Sequence, residues 1–217
     1  RDPNGYYVAG NEIIQMEGSG IDRTQKDFSA QQITLEARPI AGLMLRAENN
    51  YNVTSANNHW DVRAIYSRDK KGEPVLTSRE GGDAGRTSVH EDAYKTNYFN
   101  GRYYGEYRHL FADKHDVKVV AGLDLEINKY RDLGGTKLDL ITNDVATVNT
   151  ATNDKTSLYG GYTHWATMGD FARLNYAYDE RYLFEVSLRR NGSSRFIGDK
   201  RWATFPAFSL GWNIANE

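Results

Sequence analysis

Hydrophobic and polar residues alternate with a period of two along much of this chain. The clearest run is 117–127, whose odd positions are all apolar and whose even positions include Lys118, Asp124 and Glu126. This spacing puts the apolar residues on one face of a β-strand, whereas an α-helix would scatter them around its axis. The run therefore predicts a strand with one apolar face and one polar face.

The same alternation recurs along the sequence, and no window holds an apolar stripe with helical spacing. It predicts seven strands, at 33–38, 43–53, 97–109, 117–127, 161–178, 182–189 and 207–212. The segment 60–66 is a candidate for a short eighth strand. The chain is therefore predicted to be all-β.

The connections between the predicted strands are long and short in turn. The long ones are 1–28, 54–96, 128–160 and 191–204, and the short ones are 39–42, 110–116 and 179–181. Outer-membrane barrels combine short periplasmic turns with long extracellular loops, and ~9–11 residues of strand cross the bilayer. Long loops are uncommon in compact soluble domains. We therefore expect an antiparallel up-and-down transmembrane β-barrel segment, about seven strands of a larger barrel, with long extracellular loops.

On this interpretation the apolar face of each strand contacts lipid, and the charged face lines a water-filled lumen. Tyr176, Tyr178 and Tyr182 lie beside a short turn, which fits an aromatic girdle at a membrane interface. The alternative is a secreted soluble β-sandwich that binds carbohydrate, because a sandwich also has strands with one apolar and one polar face. Strand period alone does not separate the two.

Composition narrows the class of protein further. The chain has 27 Lys and Arg against 29 Asp and Glu, a formal net charge of -2, so no basic excess indicates a nucleic-acid partner. It has no cysteine, which excludes disulfides, thiol catalysis and Cys-ligated metals. It has 15 Tyr and 20 Gly but only 4 Pro, which favours strands joined by turns.

The segment 171–217 carries more specific motifs. It reads FARLNYAYDERYLFEVSLRRNGSSRFIGDKRWATFPAFSLGWNIANE. Five of its motifs resemble the barrel of SusC/RagA-type TonB-dependent outer-membrane transporters. They are the Arg-Leu-Asn-Tyr strand, the Arg-Tyr-Leu sequence that follows the turn, the Gly-Ser-Ser-Arg-Phe start of a loop, the Arg-Trp pair and the Phe-Pro-x-x-Ser-x-Gly-Trp strand. Asn191 and Ala207 depart from the usual residues of that pattern. Weaker similarity lies at 35–43 and 119–126.

This resemblance implies a function for the intact protein. It would import a bulky nutrient, typically an oligosaccharide or a peptide, across a Gram-negative outer membrane. A SusD-like surface lipoprotein would cap it, and TonB would act through a plug. Residues 1–217 would then be a partial barrel domain, without the plug and the remaining strands. Seven strands cannot close such a barrel, so we expect one arc of its wall, contacting outer-membrane lipid.

Contact with the ligand is the role that we assign to loop residues. Sugars and protein partners are both bound by aromatic side chains flanked by hydrogen-bonding groups. The candidates in the two predicted loops are Trp60, Tyr66, Arg68, Asp69, Tyr94, Arg195, Arg201 and Trp202. The alternative for each is packing between loops or contact with the capping lipoprotein.

Catalysis and metal binding are not expected. A glycan-active β-rich enzyme would need a pair of carboxylates, and Asp179-Glu180 lies in a predicted tight turn. The five histidines lack ligand spacing, and the Gly-rich stretch 81–86 follows no clear strand and opens no helix. We therefore predict a protein that is no enzyme and takes no cofactor.

Overall fold

The structure is a computed structural model that describes residues 12–78, 86–153 and 156–216. The Gly-rich stretch 81–86 lies, apart from Arg86, outside the described residues. The helix α1 (Glu12–Gly18) comes first, and no helix in the described part of the chain is long and apolar enough to cross a membrane.

The rest of the described chain is mostly β-structure. The strands are β1 (Asp22–Ile40), β2 (Leu43–Val62), β3 (Ile65–Arg68), β4 (Pro74–Ser78), β5 (Ser88–Phe111), β6 (His115–Leu138), β7 (Thr156–Tyr178), β8 (Tyr182–Ser193) and β9 (Trp202–Trp212). Short 3₁₀ turns lie at Val148–Thr150, Gly198–Arg201 and Ile214–Asn216.

Seven of the strands form one sheet in the order β1-β2-β5-β6-β7-β8-β9. Each strand of this sheet pairs with the next one along the chain, and β3 and β4 form a separate two-stranded sheet between β2 and β5. The prediction of seven antiparallel strands is therefore confirmed. The sheet does not close on itself, since β1 and β9 are its two edges in the described part of the chain.

The predicted loop boundaries are wrong, because β1, β2, β5, β6 and β7 extend well beyond their apolar runs, and β1 begins at Asp22. β2 continues to Val62 and β5 begins at Ser88, so that much of 54–96 is strand; β6 likewise reaches Leu138 and β7 starts at Thr156. These extensions carry polar residues on both faces, so they have no apolar period, yet their backbones still pair across the sheet. The candidate strand at 60–66 is divided between the end of β2 and the start of β3.

The short connections are tight turns, as predicted. Between β5 and β6, Ala112 and Asp113 both have positive φ (48° and 55°), and the Lys114 amide donates to the Phe111 carbonyl at 3.1 Å. The β7–β8 turn repeats this geometry. Two central residues with positive φ match the right-handed twist of the flanking strands, which holds the register of each hairpin.

The chain divides into two compact units. The first comprises Arg1–Asp27, Thr54–Lys95 and Arg131–Tyr162. Its buried apolar residues include Ile14 of α1, Ile65 of β3 and Val89 of β5. α1 packs against β3, with the backbone of Gly18 close to the Ile65 side chain. This unit therefore has a small core of its own.

The second unit comprises Phe28–Val53, Thr96–Tyr130 and Thr163–Glu217. The registers of β7, β8 and β9 align apolar residues in rows across the strands: Leu174–Val186–Phe208, Tyr176–Phe184–Leu210 and Tyr178–Tyr182–Trp212. These rows are open, since Phe208 is 80% exposed and Leu210 78% exposed. A soluble β-sandwich would bury this face, and in the described part of the chain no second sheet belongs to this unit.

Candidate functional site

Cross-strand ion pairs cover the polar face of the second unit. At their centre, Asp124 lies between two arginines: its Oδ1 is 2.8 Å from Arg102 Nε and its Oδ2 is 2.8 Å from an Arg189 terminal nitrogen. Further cross-strand pairs on this face are Arg46–Glu36, Lys118–Glu106 and Arg173–Glu185, and Arg46 also pairs with Glu48 within β2. The charged side chains thus pair with one another along the face opposite the apolar rows, although Asp124 Oδ2 and Arg46 Nε lie near their partners without hydrogen-bond geometry.

Glu126 lies on the same face as Asp124 and has a partner for each carboxylate oxygen. The Tyr98 hydroxyl donates to Oε1 at 2.8 Å, and the Thr167 hydroxyl donates to Oε2 at 3.1 Å. These two bonds join β5, β6 and β7 through a single side chain. Both oxygens of the Glu126 carboxylate are therefore used in hydrogen bonds within the sheet.

Beside these pairs the polar face has an open depression of about 480 Å³. Its floor follows one cross-strand row of short or small side chains, Gly169, Asn191 and Ala203. Its walls include the four cationic side chains Arg102, Arg189, Lys200 and Arg201, together with Asp124, Glu126, Phe196 and Phe205. The depression results from placing small residues between long ones in adjacent strands.

Two of the predicted contact residues in the second unit lie at this polar face. The guanidinium of Arg201 lines the depression, and its Nε donates to the Phe196 carbonyl at 3.3 Å. The guanidinium of Arg195 lies 4.7 Å from the ring centre of Trp165, which has the same strand parity as Thr167. Both remain predictions as ligand contacts, now with a defined location.

Trp202, the third predicted contact in this unit, lies on the other face. It is paired with Gly192 across β8 and β9, on the parity of Leu188 and Phe208. The Arg190 guanidinium lies over its ring, 4.4 Å from the ring centre. This position favours an anchoring role on the apolar side over contact with a ligand on the polar side.

In the first unit, Trp60 is stacked on His90, with ring centres 3.2 Å apart and planes 7° from parallel. His90 Nδ1 is 2.6 Å from the Thr136 hydroxyl, and Nε2 is 3.2 Å from the Ser88 hydroxyl. Burial lowers the pKa of His90. Trp60 is still 36% exposed and lines a cleft with Asp22, so part of its surface remains open to a ligand.

The β3–β4 hairpin holds three more of the predicted contact residues. Arg68 donates to the Gly72 carbonyl at 3.1 Å, and Asp69 Oδ1 accepts from the Lys71 and Glu73 amides at 2.8 and 2.9 Å. Both side chains thus close the hairpin. The Tyr66 side chain is exposed, and Tyr94, on β5, is half-buried. Whether any of them contacts a ligand stays a prediction.

Sequence reasoning missed Asp61, which is only 5% exposed. Burial raises its pKa, but hydrogen bonds from Arg63, the Ile21 amide and His59 outweigh that effect and lower the pKa overall. Gly20 passes so close that a Cβ there would lie 1.7 Å from the Asp61 carbonyl oxygen. His59 and Arg63 are close to Asp61 in the sequence, but the Ile21 amide is forty residues away, so the sequence does not indicate the complete cluster.

Metal binding has no support in the described ranges, which hold no group of three or more His, Asp or Glu side chains that could bind an ion. The polar face carries paired charges and hydrogen-bonding side chains. No protein-family model matches the chain.

Curated relatives do match it. TonB-dependent receptor P39 of Formosa agariphila is 35% identical over 137 residues, which is 61% of this chain and 12% of that protein. SusC of Bacteroides thetaiotaomicron is 55% identical over 47 residues, 22% of this chain and 5% of that protein. TonB-dependent receptor P26 of Formosa agariphila is 24% identical over 245 residues, covering 99% of this chain and 24% of that protein.

Solved structures show the same fold. The RagAB peptide transporter aligns with 98% of this chain and 23% of the matched chain, with a TM-score of 0.76 and 18% identity. Its closed-closed state gives a TM-score of 0.67 over 88% of this chain. The sequence and structure matches together show that this chain is a SusC/RagA-like relative of the TonB-dependent receptors and that it spans about a quarter or less of their length.

Proposed function

We propose that the chain forms one arc of the barrel wall of a TonB-dependent outer-membrane transporter. The observation that carries this proposal is the two-faced sheet of the second unit, with open apolar rows on one side and paired charges on the other. Lipid would cover the apolar rows, and the charged face would line a wet lumen. The relationship to SusC and to P39 supports the same role.

The membrane-crossing segments are those of the second unit on either side of the short turns. β8 has 12 residues and β9 has 11, close to the ~9–11 that cross a bilayer. Their apolar rows end at the turn with Tyr178, Tyr182 and Trp212, which fit an interfacial girdle. The strands β1, β2, β5, β6 and β7 have 19 to 24 residues, more than a bilayer crossing requires.

The intact protein would import an oligosaccharide or a peptide together with a SusD-like surface lipoprotein, and TonB would act through a plug. Support for a peptide cargo comes from the RagAB peptide transporter, which shares the fold, and support for the transporter role comes from sequence similarity to the TonB-dependent receptor SusC. The polar face with its depression is the surface of this chain that would meet the cargo. Its residues supply binding rather than chemistry.

Cell fractionation and uptake test this proposal. An antibody against 54–96 should detect a band much heavier than 24.6 kDa in the outer-membrane fraction of the source cells. Deletion of the gene should abolish growth on at least one member of a panel of oligosaccharides and peptides, and the intact gene should restore it. A soluble or secreted protein of 24.6 kDa would overturn the transporter assignment.

A further inference from the structure

We propose that the depression on the polar face of β7, β8 and β9 binds a carboxylate group of the cargo, with Lys200 and Arg201 as its ligands. This inference rests on the proposed function only in calling the ligand a cargo. The depression and its charges are features of the second unit alone. At about 480 Å³ it has the size of an ordinary small-molecule site, enough for one or two sugar or amino-acid residues.

The residues that line the depression carry more positive than negative charges. They include four cations, Arg102, Arg189, Lys200 and Arg201, against the two carboxylates Asp124 and Glu126. Excess positive charge in a concave site raises the local concentration of anions. The depression therefore attracts a negatively charged group although the whole chain carries a formal net charge of -2.

Both carboxylates already have partners within the protein, and two of the arginines are among those partners. Asp124 is bound between Arg102 and Arg189, and Glu126 accepts hydrogen bonds from Tyr98 and Thr167. Neither carboxylate is therefore available to neutralise the cations at the mouth of the depression.

Lys200 and Arg201 are the cations left for a ligand. Both are exposed, and neither forms an ion pair with any residue that the structure describes. The Arg201 hydrogen bond to the Phe196 carbonyl uses Nε and leaves the terminal nitrogens of the guanidinium open. A guanidinium and an ammonium that line one depression suit a carboxylate, because the planar fork can hold both oxygens and the ammonium adds a point charge.

The neighbouring residues give such a ligand room and an apolar support. A Cβ at Gly169 would lie 2.5 Å from Asn191 Oδ1, so a larger residue there would displace the Asn191 amide and fill part of the floor. Phe205 is paired with Arg189 across β8 and β9 and also lines the depression, so its ring lies among the cations. An acidic sugar or an acidic amino acid has the required combination of a carboxylate and an adjacent apolar surface.

Direct binding to the full-length protein, purified in detergent, tests the proposal. The probes are trigalacturonate and N-acetyl-triglutamate amide, and their uncharged counterparts are fully methyl-esterified trigalacturonate and N-acetyl-triglutamine amide. We expect at least one acidic probe to bind about tenfold or more tightly than its counterpart, and to weaken as salt rises. Binding by only one acidic probe would identify the source of the carboxylate as sugar or peptide.

Variants separate the two cations from general effects of charge. K200Q/R201Q should lower affinity for the acidic probe about tenfold or more, and R201K, which keeps the charge but loses the planar fork, should lower it less than the double variant does. The matched control, K70Q/K71Q, removes two exposed cations from the β3–β4 turn and should leave affinity unchanged. Equal binding of acidic and uncharged probes, no binding of either acidic probe, or an unaltered affinity in K200Q/R201Q would overturn the proposal.

The failure of this proposal differs from the failure of the proposed function. A binding experiment does not depend on transport, so a protein found outside the outer membrane could still show the preference for a carboxylate. Conversely, the protein could be confirmed as a transporter and still bind the acidic and uncharged probes equally. The proposed function would then stand, and the proposed carboxylate site would be wrong.

Discussion

The ring of Trp202 occupies the space that a side chain at Gly192 would need. The two residues are directly paired across β8 and β9, and a Cβ at Gly192 would lie 2.8 Å from the ring. Arg190 covers the ring at 4.4 Å. A glycine in strand β8 thus allows a large aromatic residue to lie flat against the sheet, at the end of the apolar face that is distant from the β7–β8 turn.

Gly192→Ala should destabilise the second unit by about 1–3 kcal/mol, because the new methyl group forces the Trp202 ring away from the sheet and from Arg190. Thermal unfolding in detergent measures the loss. Gly18→Ala is the control, since a Cβ there meets Ile65 only at an ordinary 3.6 Å.

A double-mutant cycle sharpens this test. If the clash with Trp202 is the cause, the cost of G192A should largely disappear in a Trp202→Ala background. An equal cost in both backgrounds would assign the effect to the β8 backbone instead. W202A alone should lower stability while leaving ligand affinity unchanged, in contrast to K200Q/R201Q.

Asp124→Asn should destabilise the polar face, because it leaves Arg102 and Arg189 without a shared carboxylate. We expect the free energy of unfolding to fall by about 1–2 kcal/mol. This is less than for a fully buried hydrogen bond between charged groups, because both arginines are about half exposed. Chemical denaturation monitored by circular dichroism provides the measurement.

Asp113→Asn is the matched control for this change. Asp113 lies in the exposed β5–β6 turn with φ of 55°, a conformation that asparagine also adopts readily. If D113N and D124N have the same effect, the ion pairs on the polar face do not stabilise the sheet.

The first unit should lose stability as the pH falls from about 7.5 to 5. His90 lies outside the segments proposed to cross the membrane, and burial lowers its pKa below that of an exposed histidine, about 6.5. The folded state therefore favours the neutral ring. Its contribution to stability is complete above the unfolded pKa and is lost as the pH falls through the folded pKa.

Hydrogen exchange of the amides of 86–95 measures this loss. His90→Gln should flatten the pH dependence, since the amide does not titrate but can still bond to Thr136 or Ser88. The nearby carboxylate of Asp92 accepts from Asn58 at 2.6 Å, and His59 lies 2.6 Å from Glu91, so His59→Gln tests the contribution of the second histidine. A profile that H59Q flattens and H90Q does not would contradict the assignment.

Asp69→Ala should loosen the β3–β4 hairpin and leave the large sheet intact, because its carboxylate accepts two backbone amides of the same turn. Limited proteolysis should cut 69–73 faster in the variant, while overall thermal stability changes little. Asp69→Asn keeps an acceptor oxygen and should behave almost as the wild type. A loss of ligand affinity in D69A without faster proteolysis would instead make Asp69 a ligand contact.

Period-two alternation in the sequence determined the seven strands, their two faces and the tight turns between them. It could do so because each apolar run has to present one face to a single environment, and a turn of two residues fixes the register of its hairpin. The motifs of 171–217 added the relationship to SusC, which periodicity could not supply.

The tertiary structure decided the extent of the strands and the location of the site. The polar ends of β1, β2, β5, β6 and β7 pair through their backbones, which leaves no mark on the apolar pattern. Trp202 and Arg201 are adjacent in sequence, but the β8–β9 register assigns Trp202 to the apolar face while Arg201 lines the depression on the polar one. The depression itself exists because Gly169, Asn191 and Ala203 align across three strands, and such alignment is a property of the register rather than of any one segment.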